Sequence, residues 1–173
     1  EQISDILKLA DPSLAFRQTI AVVESTTNFR MNCVEDGLMG LGFQSISQNS
    51  VPTPIQSLKS QNLIDKMAFG IYLSPPSSSS SVAGLGTLTI GGFDPSHYVD
   101  DLHWVPIAKR SLREMYPDSD LLGYTAAQQT AKTHLSGYWD IDFDSVSLNS
   151  SPLLSNPSGG VVDSGTTMTY GPR

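Results

Sequence analysis

Short runs of β-branched and aromatic residues, several of them bounded by glycine, proline or clustered serines, constrain this chain more than anything else in it. They recur at 19–23, 67–73, 86–92, 102–107, 138–143, 145–148 and 160–163. Branched and aromatic side chains fit a half-buried pleated surface, and the punctuation between them is turn chemistry. The pattern predicts a mainly β fold of short strands and many turns, not a helical bundle. Asp11-Pro12 reads as a turn between the apolar run at 6–9 and the strand at 19–23. The runs at 67–73 and 86–92 are expected to pair across the low-complexity tract Pro75-Pro76 and Ser77 to Ser81. Pro106 sits near the end of the run at 102–107, where a missing N–H is tolerated.

Three stretches break the pattern. At 53–63, Thr53 can cap a helix, Pro54 suits its first position, and Ile55, Leu58 and Leu63 fall near one face, with Asn62 helping to end it. In Gly37-Leu38-Met39-Gly40-Leu41-Gly42 three glycines lie among large apolar side chains. Each would cost a helix roughly 1 kcal/mol against alanine, so the segment suits a chain threading closely past other backbone. Residues 108–136 carry Lys109, Arg110, Arg113 and Lys132 together with the helix-favouring Ala126-Ala127-Gln128-Gln129, and read as an insertion in a β-rich chain.

Bulk properties exclude several roles. Of 173 residues 39% are hydrophobic and 16% charged, so the chain can fill a globular core, and a compact fold of this length buries roughly 70% of its unfolded surface. Seventeen acidic against ten basic residues leave a net charge of −7, which repels phosphate backbones and argues against nucleic-acid binding. No apolar run approaches the length of a membrane-spanning helix, so no membrane partner is expected. The chain opens at Glu1 with no signal segment and reads as a mature or excerpted piece. The lone Cys33 reads as a small buried hydrophobe, a reactive thiol or half of a bridge to another segment. His97, His103 and His134 have no metal-ligand spacing, and the first two are expected to face solvent. Asn149-Ser150-Ser151 is a formal glycosylation sequon, whereas proline rules out Asn156-Pro157-Ser158.

The sharpest chemical signal is Val161-Val162-Asp163-Ser164-Gly165-Thr166-Thr167. An apolar strand delivers a carboxylate into a turn of small and hydroxylated residues. Gly165 leaves no side chain to obstruct a ligand, and Ser164 and Thr166 can donate hydrogen bonds that orient the carboxylate. Alone, Asp-Ser-Gly is a common turn. Aspartyl-phosphate chemistry would want a second acidic residue or a lysine in the motif, and Ser164-Gly165-Thr166 has neither.

Order along the chain adds the missing context. The glycine-apolar segment 36–42 is followed by Phe69-Gly70-Ile71-Tyr72-Leu73-Ser74, then Leu88-Thr89-Ile90-Gly91-Gly92-Phe93-Asp94-Pro95-Ser96-His97-Tyr98. Trp104-Val105-Pro106-Ile107, Gly137-Tyr138-Trp139 and the Asp163 loop complete the series. The series resembles the pepsin-like aspartic endopeptidases over nearly all of the chain outside 108–136. That resemblance implies a bilobal β-barrel architecture in which each lobe supplies one Asp-Ser/Thr-Gly loop to a cleft between the lobes. Residues 1–93 would be the latter part of the N-terminal lobe, and 94–173 the crossing between lobes and the beginning of the C-terminal lobe.

The resemblance also implies residue roles. Asp163 would be one catalytic carboxylate, at the floor of the cleft. Ser164 would lock the two loops together, Thr166 would hold the carboxylate, and Gly165 and Thr167 would lie along the substrate backbone. Leu38 would approach the substrate pocket or pack in the core, and Tyr138 would line a leaving-group pocket. The substrate would be a polypeptide, no metal or organic cofactor would take part, and the compartment would be extracellular, vacuolar or lysosome-like.

No other Asp-Ser-Gly or Asp-Thr-Gly occurs in the 173 residues. The matching region is expected to start after the first catalytic loop, so the chain holds half of a dyad and needs segments of a parent enzyme. Asp163 without its partner is expected to titrate as an ordinary carboxylate. The alternatives are a truncated, inactive product that at most binds peptides or a partner, and a homodimer in which two copies of Asp163 meet.

Overall fold

The computed structural model describes residues 1–9, 14–23, 37–74, 86–108 and 137–166 together with Thr169. The turn at Asp11-Pro12, Cys33, the serine tract, His134, Thr167 and all of the 108–136 stretch except Ala108 lie outside the described residues. The chain divides into two compact units, Glu1–Leu41 with Val51–Leu102 and Gly42–Ser50 with His103–Arg173. Among the described residues the secondary structure is mainly β, eight strands against a single α-helix, as the strand-and-turn pattern predicts.

The first unit begins with a hairpin. Strand β1 (Gln2–Lys8) pairs antiparallel with β2 (Ala15–Ala21), in register from Gln2 opposite Ala21 to Lys8 opposite Ala15. Bonds from Val22 N to Glu1 O (2.8 Å) and from Leu9 N to Leu14 O (3.3 Å) close its two ends. The two-residue period of a strand turns Phe16 and Gln18 inward and Arg17 outward. Gln18, only 5% exposed, spends its amide nitrogen on the carbonyls of Pro52 (2.9 Å) and Thr19 (3.0 Å), tying β2 to the approach to the helix.

Helix α1 (Pro54–Ser60) starts and stops for local reasons. Thr53 Oγ1 accepts from Gln56 N, while Gln56 Oε1 accepts from Thr53 N (2.9 Å), a reciprocal capping box with proline at the first position. At the other end Asn62 takes a left-handed φ of 57°. Leu63 N then reaches Leu58 O (3.0 Å) and Asn62 N reaches Lys59 O (3.1 Å), the two bonds of a Schellman stop. The helix is therefore shorter than the 53–63 expected, and Leu63 packs on the core from the stop instead of from a helical turn. Just past the end, the Gln61 side chain accepts from Arg17 N and donates to Arg17 O, both at 2.9 Å. One amide thus occupies a donor and an acceptor on the outer edge of β2, where another strand could otherwise add.

Strand β3 (Phe69–Tyr72) pairs antiparallel with β4 (Thr87–Ile90), Phe69 opposite Ile90 and Tyr72 opposite Thr87, as expected for the runs flanking the serine tract. Phe16, Ile55, Leu58 and Ile64 form the buried core of the unit, with Leu7, Leu14, Leu63, Phe69 and Ile90 packed around it. His97 departs from the expectation of a solvent-facing residue. It lies half-buried, stacked on Tyr72 with ring centroids 4.2 Å apart, because Asp94 caps the short turn Pro95–His97 and swings the ring inward. His103 is exposed as expected.

In the second unit β5 (Asp140–Phe143) pairs antiparallel with a strand at Ser158–Val161, Asp140 opposite Val161. Between them lies a hairpin of β6 (Val146–Leu148) and β7 (Ser151–Leu154), so the strand at 158–161 is β8. Its two-residue turn is Asn149-Ser150, with φ of 48° and 66°. Positive φ at both central residues is the turn that matches the twist of paired strands. Strand β7 has no counterpart in the sequence reading. Conversely, the run at 102–107 forms no strand; Trp104 and Val105 are exposed and Pro106 has no N–H to offer a ladder.

Close backbone approach in the glycine segment is found at one position. A Cβ at Gly42 would lie 3.0 Å from Ile46 Cδ1 and 3.3 Å from the Gly137 carbonyl, which also accepts from Phe43 N at 3.0 Å. Gly37 and Gly40 have open space around them, and Leu38 is 83% exposed, so its expected core packing is not found.

Candidate active site

The Asp163 loop is anchored by the ladder that precedes it. Strand β8 stops at Val161, but Val162 N still donates to Trp139 O at 2.8 Å, one step past the Asp140–Val161 pair. Tyr138 and Asp163 are the chain neighbours of the two residues joined by that bond. Trp139 is a positioning residue that the sequence pattern does not single out. Its carbonyl holds the approach to the loop, and its ring packs on Phe43 with centroids 4.7 Å apart. The signal available was an aromatic pair in an apolar run, which does not distinguish an anchor from ordinary core.

Within the loop both carboxylate oxygens are engaged by donors a few residues ahead. Gly165 N donates to Oδ1 at 2.8 Å and Thr166 Oγ1 donates to Oδ2 at 2.5 Å. The glycine is needed sterically: a Cβ there would lie 3.2 Å from Oδ1. Both bonds favour the charged form. The Thr166 hydroxyl chiefly, and then the Gly165 N–H, hold the Asp163 carboxyl below its ordinary value, against a weaker opposing push from burial. This departs from the expectation of an ordinary carboxylate. A carboxylate needs no second carboxyl to be shifted when its own turn supplies two donors.

Asp163 and Ser164 are exposed, as are Gly165 and Thr166. The sequence reading set Asp163 on a cleft floor; here the carboxylate faces solvent. Tyr138 is half-buried, Leu38 stands exposed in the first unit, and Thr167 is outside the described residues. An ionised carboxylate has about four lone-pair sites, and two donors leave capacity to accept a proton from water. Among the described residues no group of three or more His, Cys, Asp or Glu is arranged to hold a metal ion. Likewise no helix among them is long and apolar enough to cross a membrane.

The family model described as eukaryotic aspartyl protease matches residues 3–173, which includes the Asp163 loop. The chain belongs to the eukaryotic aspartyl protease family. Among curated relatives, cathepsin E of Oryctolagus cuniculus is 30% identical over 145 residues, 82% of this chain and 29% of that protein. Pepsin A-5 of Mus musculus is 27% identical over 170 residues, 98% of this chain and 36% of its own length. A probable vacuolar protease A of Arthroderma benhamiae is 27% identical over 133 residues, 77% of this chain and 26% of its own. The chain thus spans about a third of the length of the curated relatives it matches.

Proposed function

We propose that this chain is the part of an aspartic endopeptidase that supplies Asp163 as one of two catalytic carboxylates. The observation carrying the reading is the loop itself: both Asp163 oxygens are held by donors of the same turn, in a chain of the aspartyl protease family. A second Asp-Ser/Thr-Gly loop in the parent protein would complete the pair. Two carboxylates sharing a site cannot readily lose both protons, and aspartic-protease dyads are the standing example of this. The ionised member takes a proton from a bound water, whose oxygen attacks the peptide carbonyl carbon. The protonated member stabilises the developing oxyanion and then passes a proton to the leaving amine. Only water and carboxyl groups enter this scheme.

The remaining roles belong to the same proposal. Thr166 and Gly165 orient the carboxylate, Ser164 fastens the loop to its counterpart, and Thr167 and Leu38 contact the peptide. Tyr138 borders the pocket beside Asp163, a role supported by the Val162 N to Trp139 O bond between their chain neighbours. Residues 1–93 belong to the N-terminal lobe and 94–173 to the crossing and the start of the C-terminal lobe. The substrate is a polypeptide. The destination is extracellular or vacuolar, a reading that leans on the vacuolar name of one relative. In the full protein, Asp163→Asn is expected to abolish cleavage of a denatured protein at acid pH while far-UV circular dichroism is unchanged. Cleavage at the unsubstituted rate would overturn the assignment.

The 173 residues contain one Asp-Ser-Gly and no Asp-Thr-Gly, and this favours a second reading for the chain taken alone. By itself it is inactive and at most binds a peptide or the rest of the enzyme. Pepstatin-sensitive hydrolysis by the purified 173-residue chain would refute that.

A further inference from the structure

We infer that Asn149, at the tip of the β6–β7 hairpin, is a site of N-linked glycosylation. The inference rests on the secretory or vacuolar destination proposed above. Six asparagines occur in the sequence, Asn28, Asn32, Asn49, Asn62, Asn149 and Asn156. Only Asn149 is followed two residues later by serine or threonine without proline between, since Asn156 is followed by Pro157.

The structure adds what the triplet cannot supply. Asn149 and Ser150 form the whole of the two-residue turn, both in the left-handed region, with Leu148 and Ser151 closing the ladder behind them. Asn149 is therefore at the extreme of the hairpin, and its side chain takes no part in the ladder. Asn149, Ser150, Ser151 and Pro152 are all exposed, and so are Leu148 and Leu153 on the flanking strands. A bulky, hydrated oligosaccharide on Nδ2 would meet none of the buried residues and would shield two exposed leucines from water-driven association. Asparagine is among the residues that best tolerate φ above zero, so the residue the turn favours is also the one that can be modified.

The donor is a lipid-linked oligosaccharyl pyrophosphate. The Asn149 amide nitrogen attacks the sugar C1 and loses one proton, forming an N–C1 bond. The C1–O bond to the pyrophosphate breaks, and the lipid pyrophosphate leaves with that electron pair. Oxidation states do not change.

The test expresses the full protein in a eukaryotic secretory host and maps the peptide that contains residue 149 by mass, before and after peptide N-glycosidase treatment. The expected result is a glycan on the secreted protein that the glycosidase removes, leaving aspartate at 149. Asn149→Asp keeps a residue that tolerates the turn but removes the acceptor, and should abolish the modification without loss of secreted yield. Ser151→Ala should abolish it and Ser151→Thr retain it. Secreted protein whose 149 peptide is unmodified overturns the inference. A second arm carries a grafted leader peptide. A glycan in that arm, with the native product cytosolic and unmodified, supports the site and overturns the proposed destination instead.

Discussion

Leu58 offers the sharpest test of how the first unit is held together. Its side chain is fully buried, packed in the cluster with Phe16, Ile55 and Ile64, and its carbonyl accepts the Leu63 N–H that ends α1. Leu58→Ala removes three buried carbons. At about 0.8 kcal/mol each the transfer loss is about 2.4 kcal/mol. The cavity left behind adds to this, because β2 and the capped helix cannot both collapse inward, and the total should reach about 3 to 4 kcal/mol. That is a shift of more than a hundredfold, roughly, in the folded population. Leu63→Ala, at a half-buried site, should cost about 1 kcal/mol, and Leu38→Ala, at an exposed one, within about 0.5 kcal/mol of zero. Hydrogen exchange at the Gln61 and Leu63 amides reports on this unit directly, since both donate to carbonyls of α1. Comparable losses of protection in Leu58→Ala and Leu38→Ala would refute the packing described here.

Two further outcomes follow from the loop and the helix. Thr166→Val removes the larger of the two influences that hold the Asp163 carboxyl down, so its titration, followed by carboxyl-carbon NMR, should move up towards the ordinary range, while Thr166→Ser should leave it in place. A carboxyl whose folded value is depressed contributes stability that is present above its unfolded value of 3.8 and is lost as pH falls through the folded value; Thr166→Val should flatten that acid limb in a urea titration below pH 4. Thr53→Ala breaks the capping box and should lower stability by about 1 kcal/mol in urea unfolding, with the slope of the transition unchanged.

Local chemistry was readable in advance wherever cause and effect lie within a few residues. Thr53 and Pro54 begin α1 through contacts no longer than three positions, and Asn62 ends it by its own backbone preference. The Asp163 carboxylate is held the same way, by donors two and three residues ahead, which is why the triplet and its threonine stood out without any fold. Strands with branched side chains at 69–72, 87–90 and 140–143 were also legible, because a pleated surface suits those residues wherever it forms.

Other features depend on partners that no short window contains. Strand β7 holds Pro152 and little β-branching; it is a strand because the Asn149-Ser150 turn folds it back on β6. The run at 102–107 has the better pattern and forms no ladder. Leu38 looks like core and is exposed, while Gln18 looks like surface and is buried because Pro52 and Thr19 offer carbonyls to its amide. The residues therefore dictated caps, turns and the grip on one carboxylate, all short-range hydrogen bonds whose geometry is set by adjacent peptides. Which strands pair, which side chains lose water and how open Asp163 stands depend on contacts between distant segments, whose free energy exists only once the chain has folded.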